Sequence, residues 1–157
     1  MQKKISREWK KVFESDLGYI AYELKDLVEK PAVIFLEGGV GAGKTTFTKA
    51  FINDGDTFSR SYSILSETRN VLHADLYRLE DQNELIHIEL PLYLETKQFF
   101  ILEWGMKFFK TLYKEIPEGF HYYQLDISIN DSSDNAKADE ENHSRNFALY
   151  HLDEVDL

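Results

Sequence analysis

The sequence predicts an α/β fold: one layered domain around a central, largely parallel sheet flanked by helices. Three observations predict it. Ala32-Val-Ile-Phe-Leu36 is an uninterrupted apolar run, as expected of a strand buried on both faces. A glycine-rich turn follows it directly and opens into a helical pattern. Further on, apolar strand candidates alternate with segments of helical spacing. A chain of 157 residues suits a single domain over 1–157 with a core of its own.

The elements can be justified in order. Ser15-Asp16 reads as a helix start, followed by Leu17, Ile20, Leu24, Leu27 and Val28 at helical spacing. After the buried strand and the glycine turn, Thr46 to Ile52 continues as a helix with Phe47, Ala50 and Phe51 on one side. Val71 to Tyr77 and Gln98 to Leu102 are strand candidates. Glu80 to Leu90, closed by Pro91, and Met106 to Ile116, closed by Pro117, read as helices. His121 to Ile129 and Asn146 to Leu152 complete the strands, and the class admits antiparallel strands at this C-terminal end. Between them, 130–143 lacks an apolar period and reads as a flexible acidic loop.

Composition removes several function classes. The chain has no cysteine, which excludes disulfides, thiolate metal sites and cysteine nucleophiles. Its five histidines show no zinc-binding spacing. The N-terminal residues carry no apolar segment of signal type, and the longest apolar runs are too short for a bilayer. The expectation is a cytoplasmic protein with no membrane contact. The net charge is −10, and −6 of it lies from Asn130 to Leu157, where eight acids face only Lys137 and Arg145. That balance weighs against direct, phosphate-driven binding of nucleic acid.

The strongest signal is Gly38-Gly-Val-Gly-Ala-Gly-Lys44-Thr45, which fits G-x-x-x-x-G-K-[ST] position by position. Glycines let successive N–H groups converge on phosphate oxygens, and the following helix adds its positive end. Lys44 is expected to reach the β- and γ-phosphates, and the Thr45 hydroxyl to ligate Mg²⁺. The predicted fold is therefore a P-loop NTPase domain. Such a site also needs a carboxylate at the end of a neighbouring strand. Phe99-Phe-Ile-Leu-Glu103 has that form, although a solvated strand-end glutamate would read the same way. Asp75 interrupts an apolar strand candidate, a costly place for an unpaired carboxylate. It is read either as ordering the metal's water or the attacking water, or as a structural partner of Arg78 or cap of the next helix.

These residues together resemble a family. Leu36-Glu-Gly-Gly-Val-Gly-Ala-Gly-Lys-Thr-Thr-Phe47, His73-Ala-Asp-Leu-Tyr-Arg-Leu79, Glu84-Leu85 and Leu102-Glu-Trp-Gly105 look like the TsaE (YjeE) family. Its members are the bacterial ATPases of tRNA threonylcarbamoyladenosine synthesis. The resemblance implies binding of ATP and Mg²⁺, weak ATP hydrolysis in isolation, and work with TsaD and TsaB, so that tRNA is reached only through the complex. Carried over by position, Gly41, Ala42, Gly43, Lys44, Thr45 and Thr46 would cradle the nucleotide, Thr45 and Glu103 would hold the metal, and Lys44, Asp75 and Glu103 would serve hydrolysis. Arg145, beside Ser144, would stand where the family often has a Gly-Arg pair near the nucleotide; a solvated strand-edge arginine is the plainer reading. Trp104 would pack beside the site, or serve as an ordinary core aromatic. Trp9 to Lys11 could wall the base pocket, or form a surface strand.

The chain departs from the family pattern in two further places. Ser59-Arg-Ser-Tyr-Ser63 replaces the family's S-P-T-[FY]-[ST] segment, and the glycine usual near Glu89 is missing. Two other functions share the phosphate loop: a small-molecule or nucleoside kinase, and a nucleotide-binding scaffold without useful turnover. A GTPase is disfavoured, since no N-K-x-D segment occurs.

Overall fold

The computed structural model describes residues 1–52, 60–61, 64–130 and 143–153. The elements run β1 (Gln2–Val12), α1 (Leu17–Leu27), β2 (Ala32–Glu37), α2 (Lys44–Ile52), β3 (Arg60–Ser61), β4 (Leu65–Glu67), β5 (Val71–Asp75), α3 (Gln82–Ile88), α4 (Leu90–Leu94), β6 (Phe99–Glu103), α5 (Phe109–Glu115), β7 (His121–Ile129) and β8 (Arg145–Asp153). Among the described residues, eight strands join one sheet in the order β1-β8-β7-β2-β6-β5-β4-β3. The centre, β7-β2-β6-β5, is parallel. Antiparallel strands flank it on both sides, β8 and β1 at one edge and β4 and β3 at the other. The expected α/β class with antiparallel C-terminal strands is what the chain adopts.

Ala32 through Leu36 are fully buried because helices cover both faces of β2. Ala32, Ile34 and Leu36 enter one apolar cluster with Leu17, Leu24, Phe47 and Phe51 of α1 and α2. Val33 and Phe35 point the other way, into a cluster with Leu85, Leu94, Phe109 and Leu112 from α3, α4 and α5. The strand's two-residue period thus divides the core into two layers.

Register then brings the chemistry together. Leu36 of β2 and Asp75 of β5 both pair with Glu103 of β6, so the three strands end at one level. The glycine turn leaves β2 just above that level. In parallel α/β sheets, ligands sit outside the carboxyl ends of the strands.

One sequence expectation changes, and two segments need comment. Pro91 does not close the helix begun near Glu80; α3 ends at Ile88, Glu89 takes φ 60° and ψ 53°, and Pro91 lies in the first turn of α4. Proline suits that turn because its missing N–H would have no intrahelical partner there. The N-terminal residues form an eleven-residue strand, paired antiparallel with β8. Within 130–143, the residues from 131 to 142 lie outside the described ones, but Asn130 and Ser144 at its two ends are joined backbone to backbone at 2.9 Å.

Candidate functional site

The loop between β2 and α2 is shaped by its glycines at specific atoms. A Cβ on Gly38 would lie 2.5 Å from the Ile127 carbonyl oxygen, so only glycine lets the loop leave β2 beside β7. Gly41 and Gly43 hold φ of 82° and 109°, a region other residues avoid. A Cβ on Gly41 would meet nothing within 4 Å, so its constraint is conformational, not steric. Ala42 N–H donates to Gly39 O at 3.1 Å, and Phe47 N–H donates to Gly43 O at 2.9 Å as α2 begins.

Lys44, the first residue of α2, is buried beneath the loop. Its Nζ donates to Gly38 O at 2.6 Å and lies 3.3 Å from the centre of the Trp104 ring. Burial pushes its pKa down, against the opposing pull of Glu103, Glu37 and Asp75. Trp104 reaches this position with a left-handed backbone, φ 61°, and its other neighbour is Tyr77, ring to ring at 5.0 Å. The expected packing of Trp104 beside the loop is what the structure has.

Thr45 Oγ1 donates to Glu103 Oε1 at 3.0 Å. Glu103 itself is 3% exposed. Its other oxygen, Oε2, accepts from His73 Nε2 at 2.7 Å. Burial alone would raise the Glu103 pKa, but the bonds from His73 and Thr45, with the charge of Lys44, outweigh it and hold the carboxyl below its ordinary value.

Asp75 departs from its sequence reading in burial. It stands at the exposed C-terminal end of β5, so no burial cost has to be met, and its Oδ1 accepts from Tyr77 N–H at 3.1 Å. The cap of α3 is Asp81, which accepts from Asn83 N–H at 2.9 Å. Arg145 is no solvated edge residue. Its Nε donates to Ala42 O at 2.9 Å and its Nη1 to His143 O at 2.6 Å, so the guanidinium braces the loop from β8.

A cavity of about 730 Å³ opens over this arrangement, within the range of small-ligand sites. Gly41, Ala42, Gly43, Lys44, Thr45 and Thr46 line one side, and Asp75, Glu103, Trp104 and Arg145 line the others. All the predicted site residues therefore share one cavity. A further wall is formed by Val12, Phe13, Glu14 and Leu17, from the end of β1 to the start of α1. The sequence pointed to Trp9 to Lys11, a few residues early; Trp9 is a core residue instead. Apolar residues just before a helix start carry no local mark of facing a cavity. Of the unusual Ser59–Ser63 segment, Arg60 and Ser61 form β3, while Ser59, Tyr62 and Ser63 lie outside the described residues.

The family model described as Threonylcarbamoyl adenosine biosynthesis protein TsaE matches residues 13–140. The chain belongs to the TsaE family. Among its relatives, the tRNA threonylcarbamoyladenosine biosynthesis protein TsaE of Haemophilus influenzae is 34% identical over 92 residues, 54% of this chain and 58% of that one. The TsaE protein of Bacillus subtilis is 34% identical over 108 residues, 62% and 66% of the two chains. That of Aquifex aeolicus is 35% identical over 78 residues, 43% and 59%. The chain thus spans under two thirds of the length of the curated relatives it matches. The crystal structure of Bacillus subtilis YdiB has the same fold, with a TM-score of 0.56 at 21% identity, covering 97% of this chain and 88% of the other. The loop, the Thr45–Glu103 pair and the buried Lys44 are accordingly features of a TsaE-family chain.

Proposed function

We propose that this TsaE-family chain is a Mg²⁺-dependent ATP-binding and ATP-hydrolysing subunit that supports tRNA threonylcarbamoyladenosine modification with TsaD and TsaB. The observation that carries it is the Thr45–Glu103 bond at the mouth of the glycine loop, with Lys44 buried beside it. A hydroxyl and a carboxylate are the hard oxygen donors Mg²⁺ takes, and that ion completes its shell with phosphates and waters. Mg²⁺ is commonly bound through one or two protein oxygens plus substrate phosphates, and not by a dedicated all-protein cage. When bound, the metal neutralises charge developing on the phosphates.

The chain's own residues would act as follows. The loop amides and the N-terminal end of α2 bind the phosphates, and Lys44 exchanges its hold on Gly38 O for phosphate oxygen. Thr45 and Glu103 hold the metal's side of the site. Asp75, exposed on the cavity wall, orients the attacking water. The chain would act as one domain in the cytoplasm and reach tRNA only through its partners. Among the described residues no helix is long and apolar enough to cross a membrane.

The test is ATP turnover with and without TsaD–TsaB, with small nucleoside acceptors as controls. Lys44→Ala and Thr45→Ala are each expected to lower turnover about 100-fold, as loss of an electrostatic contact in a buried site does. Unchanged turnover in both variants would sink the assignment. Stimulation by an acceptor and not by the protein pair would favour a kinase.

A further inference from the structure

The geometry points to His73 as a positioning residue: it fixes the Glu103 carboxylate so that Oε1 faces Thr45 and the metal side of the cavity. This rests on the nucleotide and metal reading above, and it concerns a residue to which that reading gives no role.

Glu103 is almost wholly buried, so each oxygen must be satisfied. Thr45 of α2 serves Oε1 and His73 of β5 serves Oε2. Because a carboxylate only accepts, His73 presents Nε2–H to it. The imidazole is set from its other side as well, where Ser66 Oγ of β4 lies 3.4 Å from Nδ1. Ser66 and His73 are register partners. His73 pairs with Ile101, which places its side chain diagonal to Glu103 on the same face of the sheet. A terminal carboxylate torsion is otherwise broad. Two donors on separate elements, one above β6 and one beside it, leave it a single orientation. Partners that orient a ligand in this way are worth about 10–100-fold in metal affinity.

A histidine that merely satisfied a buried oxygen would change stability and leave metal dependence alone. The experiment separates the two. Binding of a fluorescent ATP analogue is measured for the wild-type chain, His73→Ala and His73→Gln, across a Mg²⁺ series and in EDTA. For His73→Ala, the Mg²⁺ midpoint is expected to rise about 10-fold or more, with affinity in EDTA kept within about twofold of wild type, since phosphate contacts do not involve this residue. His73→Gln, which retains an N–H donor, is expected to restore most of the midpoint. An unchanged midpoint in folded His73→Ala, or an equal loss in EDTA, overturns the proposal. If wild-type chain binds no nucleotide, the reading beneath it falls first, and this inference with it. Should His73→Ala fail to fold, ¹⁵N shifts of the wild-type imidazole decide. An Nε2–H tautomer perturbed by Mg²⁺ in the ADP-bound protein supports the role; an Nδ1–H tautomer, or no perturbation, refutes it.

Discussion

Glu89 occupies the left-handed well at φ 60° and ψ 53°, where a Cβ crowds the following carbonyl. It joins α3 to α4 and is exposed. The side chain has no compensating burial, so the strain is unrelieved. Glu89→Gly is expected to stabilise the chain by about 0.5–1 kcal/mol, the relieved strain less the extra entropy of glycine in the unfolded state. Urea midpoints of the two proteins check this, and a lower midpoint for the glycine variant would show the turn to be unstrained. Trp104 holds a similar conformation, φ 61°, yet there the ring covers Lys44 at 3.3 Å. Strain at a cavity wall is tolerated where surrounding contacts fix it. The two residues show the same backbone state arising at a plain turn and at a candidate site.

Among the elements, α2 binds the fold to the site. Its outer residues Thr45 and Thr46 face the cavity, while Phe47 and Phe51 are fully buried beneath them. Phe47 meets Phe147 of β8 at 5.5 Å, and Phe51 meets Phe99 of β6 edge-on at 5.1 Å. Phe51→Ala is expected to cost about 3–5 kcal/mol, the loss of a buried aromatic plus the cavity left behind. A denaturation curve showing under about 1 kcal/mol would mean that α2 is anchored elsewhere. The helical spacing of these phenylalanines was legible before folding, as was the apolar strand β2, because both are local periodicities. The break between α3 and α4 was not. A proline after an apolar run reads equally as a stop or as a first-turn residue. Only the backbone at Glu89 distinguishes them. The exposure of Asp75 was hidden for a related reason: the apolar residues on either side of it suggest a strand running on to Tyr77, but the strand ends at Asp75, which is exposed.

The whole chain carries a net charge of −10, yet the site is proposed to bind an anion. The conflict is local. Lys44, the loop amides and the end of α2 act within a few ångström, whereas charges beyond about 8 Å are largely screened at physiological salt. A polyanion as long as tRNA would meet the whole surface instead. The isolated chain is therefore expected to bind unmodified tRNA more weakly than about 10 µM at 0.15 M salt, as measured by fluorescence anisotropy. Tighter saturable binding would mean that tRNA is contacted directly.

The sequence by itself determined the α/β class, the buried central strand, the phosphate-type loop and the carboxylate at the end of β6. Each is a contiguous pattern whose physics is complete within about a dozen residues. Tertiary structure alone decided what those residues touch. His73 meets Glu103 across 30 positions, and Arg145 meets Ala42 across 103. Val12 and Phe13 become a cavity wall only because β1 returns to pair with β8. Side chains far apart in the chain are joined by strand order and register, and no local periodicity encodes either one.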